Sequence, residues 1–237
     1  GLAPDVAVVV ATVRALKMHG GVAKTDLGTE DVAAVRRGIV NLQGHVNNVK
    51  KFGVPPVVAL NRFATDTDAE LAAVLETCQA WGVKAVLADP WGGGGEGCLD
   101  LADAVHEVLE AGEADFKPLY PDDLSLTEKI ETVATEIYGA DGVDIDAKAE
   151  KEIAALEEAG LRDAPVCIAK TQYSFSDDPT LLGRPSGFRI TVRQVVPSAG
   201  AGFVVVKTGD VMTMPGLGVQ PAAMRMAVED GKAVGLF

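Results

Sequence analysis

The 237 residues include 21 basic and 34 acidic side chains, a formal net charge of −13, with 48% hydrophobic and 23% charged residues. Such a chain can bury a sizeable core and is not intrinsically disordered, and its acidic balance excludes a general nucleic-acid binder, which needs Lys and Arg to displace counterions from phosphates. No apolar run approaches the roughly 20 residues of a membrane-spanning helix, and three scattered cysteines without a CxxC pair argue against a disulfide framework or zinc site and for a reducing cytoplasm.

The length predicts one large or two smaller domains. The opening GLAPD has no basic n-region of a signal peptide, and a start without Met leads us to expect a piece of a longer polypeptide. Residues 6–12 (VAVVVAT) are a continuous β-branched run, which predicts a strand buried on both faces. Residues 30–51 predict a helix, with Val32, Val35, Ile39, Leu42 and Val46 three and four apart, ended by Phe52-Gly53. A second strand follows at 57–61 (VVALN). Residues 66–82 predict a helix with Thr67 or Asp68 as N-cap and Leu71, Val74, Leu75 and Cys78 on one stripe. Residues 85–88 (AVLA) give a third strand, and a helix carrying Leu101, Val105, Val108 and Leu109 spans 99–111 after a glycine run. Repeated β-α-β units with short connections predict an α/β fold with a parallel sheet covered by helices.

The pattern changes after Phe116-Lys117-Pro118. Helices are predicted at 127–138 and 148–159, split by the turn cluster at 139–142. Strands are predicted at 165–170, 188–192 and 203–207, with a polar loop at 171–187 and a turn at 198–202. The tail from Met212 carries Pro215, Gly216 and Gly218, then a hairpin end near Gly231.

In open parallel sheets ligands sit beyond the carboxyl ends of the strands. Three loops meet that condition: residues 61–66 (NRFATD), residues 89–91 (DPW) with the glycines after them, and residues 170–173 (KTQY). Phe63 and Trp91 follow neighbouring strands, and two such rings can sandwich a flat heterocycle, each face contributing about 1 kcal/mol beyond area burial. The same rings also suit core or rim packing, and both readings stand at this point. The run at 92–97 (GGGGEG) lets backbone approach an anion before a helix, or is a plain surface loop. It is not a P-loop, since no Lys-Ser/Thr follows; the segment at 20–25 comes nearest but lacks the Gly before Lys. No dinucleotide fingerprint occurs. Arg62, Lys170, Arg184, Arg189 and Arg193 are basic groups near loops, whose default role is pairing or solvation. His19, His45 and His106 have no metal-site spacing, and no nucleophile–His–acid set can be picked out. Asp177-Asp178-Pro179 suits a cation or an acidic turn, and Cys98 suits a reactive thiol or a small hydrophobe.

Six strings then point to one family. VATVRALKMHGG (10–21), NRFATDT (61–67), KIETVATEIYGADGV (129–143), AKTQYSFSDDP (169–179), GRPSGFRITVR (183–193) and PSAGAGFVVVKTGDVMTMPGL (197–217) together resemble formate–tetrahydrofolate ligases, also called 10-formyltetrahydrofolate synthetases. The resemblance runs in order along the chain and covers a C-terminal portion of the family's length. It implies a parallel-sheet, P-loop NTPase-like part followed by a smaller α/β domain: residues 1–43 as the tail end of the nucleotide-binding domain, 44–237 as the domain bearing folate-binding loops. It implies an ATP-dependent joining of formate to N10 of tetrahydrofolate through formyl phosphate. ATP and Mg²⁺ are then held by an N-terminal half, monovalent cations activate, and the whole protein is a cytoplasmic homotetramer with small-molecule substrates and no nucleic-acid or membrane partner.

By the same resemblance Phe63 and Trp91 stack on the folate pterin, and Asn61, Leu87 and Ala88 fall beside positions lining the nucleotide or folate pocket. Catalytic residues stay unassigned, and no metal ligand is expected. Two strings depart from the family. Ala64 stands where Pro often follows NRF, and Pro90-Trp91-Gly92-Gly93 replaces a more usual Val-Trp-Ala-Lys, removing a Lys from the rim. The family's Walker A lysine and formyl-phosphate-binding Arg have no counterpart here, so the 237 residues alone are expected to be inactive. The alternative is a noncatalytic folate-binding module, or a partner subunit that needs a separate Walker A chain.

Overall fold

The computed structural model describes residues 2–209, 219–229 and 232–235. Strands β1 (Ala7–Ala11), β2 (Pro56–Asn61) and β3 (Lys84–Ala88) form a parallel sheet in the order β1-β2-β3, with Ala7 opposite Pro56 and Val57 opposite Lys84. The helices between and after them are α1 (Val13–His19), α2 (Val32–Lys51), α3 (Asp68–Ala80) and α4 (Leu99–Ala111). The apolar stripes read from sequence meet the sheet as expected. Val35, Ile39, Leu42 and Val46 of α2 and Leu71, Val74 and Cys78 of α3 are buried in one cluster with Val58 and Leu60. Cys78 is a core hydrophobe whose thiol burial pushes up to about 11. Helix α3 starts with a capping box: Thr67 accepts from the Glu70 amide while Glu70 returns a bond to the Thr67 amide.

The sheet corrects one expectation. β1 is not buried on both faces: Val8 is 43% and Val10 66% exposed, whereas β2 between its two neighbours is buried along its length. Among the described residues β1 is an edge strand, and Val8 and Val10, two apart and so on one face of the sheet, are left uncovered there. The seven-residue α1 is an addition to the sequence reading. Its burial pattern contains a lysine, which apolar periodicity does not count.

The second unit holds α5 (Leu126–Glu136), β4 (Val143–Ile145), α6 (Ala147–Leu156), β5 (Val166–Ala169), β6 (Ile190–Val192), β7 (Gln194–Ser198) and β8 (Phe203–Lys207). β4 pairs in parallel with β6, and the second sheet runs β5-β8-β7, parallel then antiparallel. Leu126, Ile130, Ile153, Val192, Val204 and Val206 centre its core. β4 and β7 escape sequence detection: one has three residues, and the other contains Pro197, tolerated because β7 is an edge. β9 (Ala227–Glu229) pairs with β10 (Lys232–Val234), the hairpin expected near Gly231; Gly231 itself, with Met212, Pro215, Gly216 and Gly218, lies outside the described residues.

A stripe of polar side chains on α2 fastens the two units. Asn41 Nδ2 donates to the Gly183 carbonyl at 2.9 Å, Asn48 Nδ2 to the Ile137 carbonyl at 2.7 Å, and the His45 ring packs on Phe175 at 4.6 Å. A side chain at Gly44 would collide with the Phe175 ring, a Cβ lying 2.8 Å from it. His19 Nδ1 accepts from the Gly183 amide at 3.1 Å. Beside this seam, the outer edges of β1 and β5 face one apolar groove of about 1080 Å³, lined among others by Val8, Val10, Phe52, Phe116, Leu119 and Val166.

Candidate functional site

The carboxyl ends of β2 and β3 carry the residues that sequence placed there. Asn61 pairs with Ala88 as the last rung, and the Arg62 amide then donates to the Ala88 carbonyl at 2.9 Å, carrying the pairing one residue into the loop. Past that rung the chains diverge around a cavity of about 760 Å³ lined by Asn61, Arg62, Phe63, Ala64, Asp89, Pro90, Trp91 and Gly92. Phe63 is 40% and Trp91 85% exposed, so neither ring is core packing. The aromatic contact pairs of the described residues are His45 with Phe175 and Phe52 with Phe116, so Phe63 and Trp91 line one cavity without touching. Asn61, Phe63 and Trp91 are therefore brought together. Leu87 packs against the core of the first sheet and Ala88 is buried, and neither lines this cavity.

The Phe63 loop is held from beneath. The Phe63 amide donates to Asp66 Oδ2 at 2.8 Å, and the Asp66 amide returns a bond to the Phe63 carbonyl at 3.0 Å. Burial pushes the Asp66 carboxyl up, against the pull of the Phe63 amide, and its Oδ1 is buried without a partner. Below it lies a fully buried ion pair, Lys17 Nζ to Glu70 Oε1 at 2.8 Å. Lys17 also donates to the Thr29 carbonyl at 2.9 Å, and Glu70 accepts from the amides of Asp31 (2.8 Å) and Thr67 (3.2 Å). Burial alone would raise the Glu70 carboxyl; the Lys17 ammonium and the two amides outweigh it and hold the group below its ordinary 4.5. Sequence reading missed Lys17, Asp66 and Glu70 as supports. Its one available signal was the Thr67…Glu70 capping box.

The glycine run closes on Asp89. Asp89 Oδ1 accepts from the Gly92 amide at 2.7 Å, the Asp89 carbonyl accepts from Gly93 at 3.0 Å, and the Asp89 amide donates to Gly97 at 2.9 Å. A Cβ at Gly97 would stand 2.2 Å from the Asp89 carbonyl oxygen. These glycines permit a tight wrap around one carboxylate, and two of the amides that a phosphate would want are already bonded.

The other candidates have structural work. Lys170 Nζ donates to the carbonyls of Thr171 (3.0 Å), Ser176 (3.3 Å) and Ser174 and sits 4.8 Å from the Tyr138 ring centroid; burial pulls its ammonium down to about 8, against Asp177. Burial also lowers His19 and His45, the latter with help from His19 and Lys170. Arg189 pairs with Asp144 at 2.8 Å. Asp177 accepts from the amide of Thr191 in β6 and so ties the loop to that strand, while Asp178 caps its own turn by accepting from the Thr180 amide and hydroxyl. His106 is exposed beside Glu110, and Cys98 is half-buried at the start of α4. Among the described residues no group of three or more His, Cys, Asp or Glu side chains converges to hold a metal ion. No described helix is long and apolar enough to cross a membrane.

The fold is that of an α/β protein with a parallel sheet, and an aromatic-lined cleft lies past the strand ends, where open parallel sheets place ligand sites. The model of the formate–tetrahydrofolate ligase family matches residues 1–237. The chain is 56% identical over 238 residues to the formate–tetrahydrofolate ligase of Ruegeria pomeroyi, all of this chain against 43% of that protein. It belongs to the formate–tetrahydrofolate ligase family, and spans less than half the length of that relative.

Proposed function

We propose that this chain is a C-terminal segment of an ATP-dependent ligase that joins formate to tetrahydrofolate, and that it holds the folate. The observation that carries the reading is the pair Phe63 and Trp91 on neighbouring strand ends, both open, across one cavity of about 760 Å³. A pterin stacked there leaves N10 to attack the carbonyl carbon of formyl phosphate, made from formate and ATP by the rest of the polypeptide. The new C–N bond forms as inorganic phosphate departs, and the amine loses its proton. The amine is the nucleophile, so the chain's contribution is positioning, and the cleft needs no reactive side chain. Residues 1–43 complete a P-loop NTPase-like nucleotide-binding domain and 44–237 carry the folate loops, although α2 runs through that boundary. Asn61 borders the nucleotide or folate pocket, and Leu87 and Ala88 act from behind its wall. ATP and Mg²⁺ belong to the N-terminal half, monovalent cations activate the enzyme, and the whole protein works as a cytoplasmic homotetramer.

The open edge of β1 supports the segment reading. Among the described residues β1 pairs on one side only, and its exposed Val8 and Val10 share one face beside an apolar groove; edge and face together suit an added parallel strand and its covering segment from the part of the polypeptide that the relative carries outside the matched span. A separate Walker A subunit would use the same edge, which keeps the partner-subunit reading as the alternative. Assays of 10-formyltetrahydrofolate formation from formate, ATP and tetrahydrofolate test both. The chain alone should give none, and adding the complementary N-terminal segment should restore turnover that Val10→Lys abolishes. Robust turnover by the chain alone would refute the proposal. Tetrahydrofolate should quench Trp91 fluorescence in a Trp81→Phe background, and Phe63→Ala should weaken binding by about 1–3 kcal/mol.

A further inference from the structure

We infer that Arg14 is a positioning residue for the aromatic clamp: its guanidinium closes one face of the Phe63 ring and fixes the ring so that only the other face takes a flat, electron-rich heterocycle. The inference rests on the pterin reading of the cleft and goes beyond it by naming how an exposed ring is held in place.

Four observations converge. Arg14 stands at the same end of the sheet as Phe63, because β1 ends at Ala11 and Thr12 caps α1 by accepting the Ala15 amide at 3.1 Å. Its Cζ lies 5.4 Å from the centroid of the Phe63 ring. Among the described residues no carboxylate comes within ion-pair distance of it, so the contact is not a by-product of a salt bridge, although Asp66 feels its charge. The Phe63 backbone is pinned by Asp66 on both its amide and its carbonyl, while the ring itself is 40% exposed. A ring so poorly packed turns freely unless something covers it. A weakly hydrated planar cation does so at little desolvation cost. By drawing π density toward itself it also leaves the opposite face better matched to an electron-rich partner.

The test separates the ring from the ligand. In NMR spectra of the 237-residue chain, the Arg14 side-chain protons should be shifted upfield by the Phe63 ring current and lose that shift in Phe63→Leu. The Phe63 ring signals should stay dispersed in Arg14→Lys and collapse toward averaged positions in Arg14→Met, with the backbone amide spectrum unchanged. Tetrahydrofolate binding, read from Trp91 fluorescence, should then weaken about two- to fivefold in Arg14→Met, recover in Arg14→Lys, and show no further loss when Arg14→Met is added to Phe63→Leu. Unchanged Phe63 ring signals in Arg14→Met, or an equal loss of affinity in the Phe63→Leu background, would overturn the role of Arg14. A parent chain that does not bind tetrahydrofolate would overturn the pterin reading instead, and the ring signals would still decide whether Arg14 positions Phe63.

Discussion

The cleft has a floor and a rim built on opposite terms. In the floor, Lys17 and Glu70 are wholly buried, and their charges meet each other and neighbouring backbone groups. On the rim, Phe63 and Trp91 hold large apolar faces in water. A fold gains nothing from an indole that is 85% exposed, and it risks much on a buried ion pair. The floor is thus a scaffold that fixes the loop, while the rim is exposed apolar surface, which the proposed function assigns to a ligand. The two respond differently to substitution, which gives ways to break the distinction.

The largest effect should come from the floor. Lys17→Met leaves the Glu70 carboxylate buried without its cation, and such a break costs about 3–5 kcal/mol. Urea unfolding should show the midpoint falling by that free energy divided by the slope, with little change in the slope itself. A loss below about 1 kcal/mol would mean that the pair is not the support described.

Acid should separate the floor from the seam between the two units. The folded-state value of His19 is lowered by burial, so its contribution is complete above its ordinary 6.5 and is lost as pH falls through the lowered value. Glu70 is likewise held low, by Lys17 and two amides against burial; its contribution is present above its ordinary 4.5 and is lost as pH falls through the lowered value. Stability should therefore decline in two steps on acidification. His45, lowered by burial and by the charges of His19 and Lys170, shares the upper step, so His19→Gln should shrink that step and keep the lower. A single step, unmoved by His19→Gln, would contradict the lowered imidazole.

Much of the floor was hidden from sequence because its parts are remote. Lys17 and Glu70 are 53 positions apart, and Lys17 reads as a surface charge at the end of an apolar run. Only the capping box of α3 hinted at Glu70. The rim was legible, because Phe63 and Trp91 directly follow strands whose apolar runs are unmistakable. Leu87 and Ala88 were legible as strand, but Leu87 packs against the core cluster and Ala88 is buried, so neither lines the cleft. The runs at β1 and β2 look alike in sequence, yet among the described residues one is half open and the other sealed, because an apolar run does not tell which strand lies at the centre of the sheet. The glycines after Trp91 suggested phosphate by composition, and it takes the bonds of Asp89 to show what they permit.

The smallest effect on folding should be at the rim. Trp91→Ala removes a side chain that makes almost no buried contact, so unfolding free energy should change by less than about 0.5 kcal/mol. The same substitution should cost tetrahydrofolate affinity about 1–3 kcal/mol by loss of stacking and buried area, measured by calorimetry because the fluorophore is gone. The combination is the informative result. A folded, equally stable protein with weakened binding identifies the indole as surface reserved for a ligand. A drop in stability above about 1 kcal/mol would instead make Trp91 part of the scaffold and erase the difference between rim and floor.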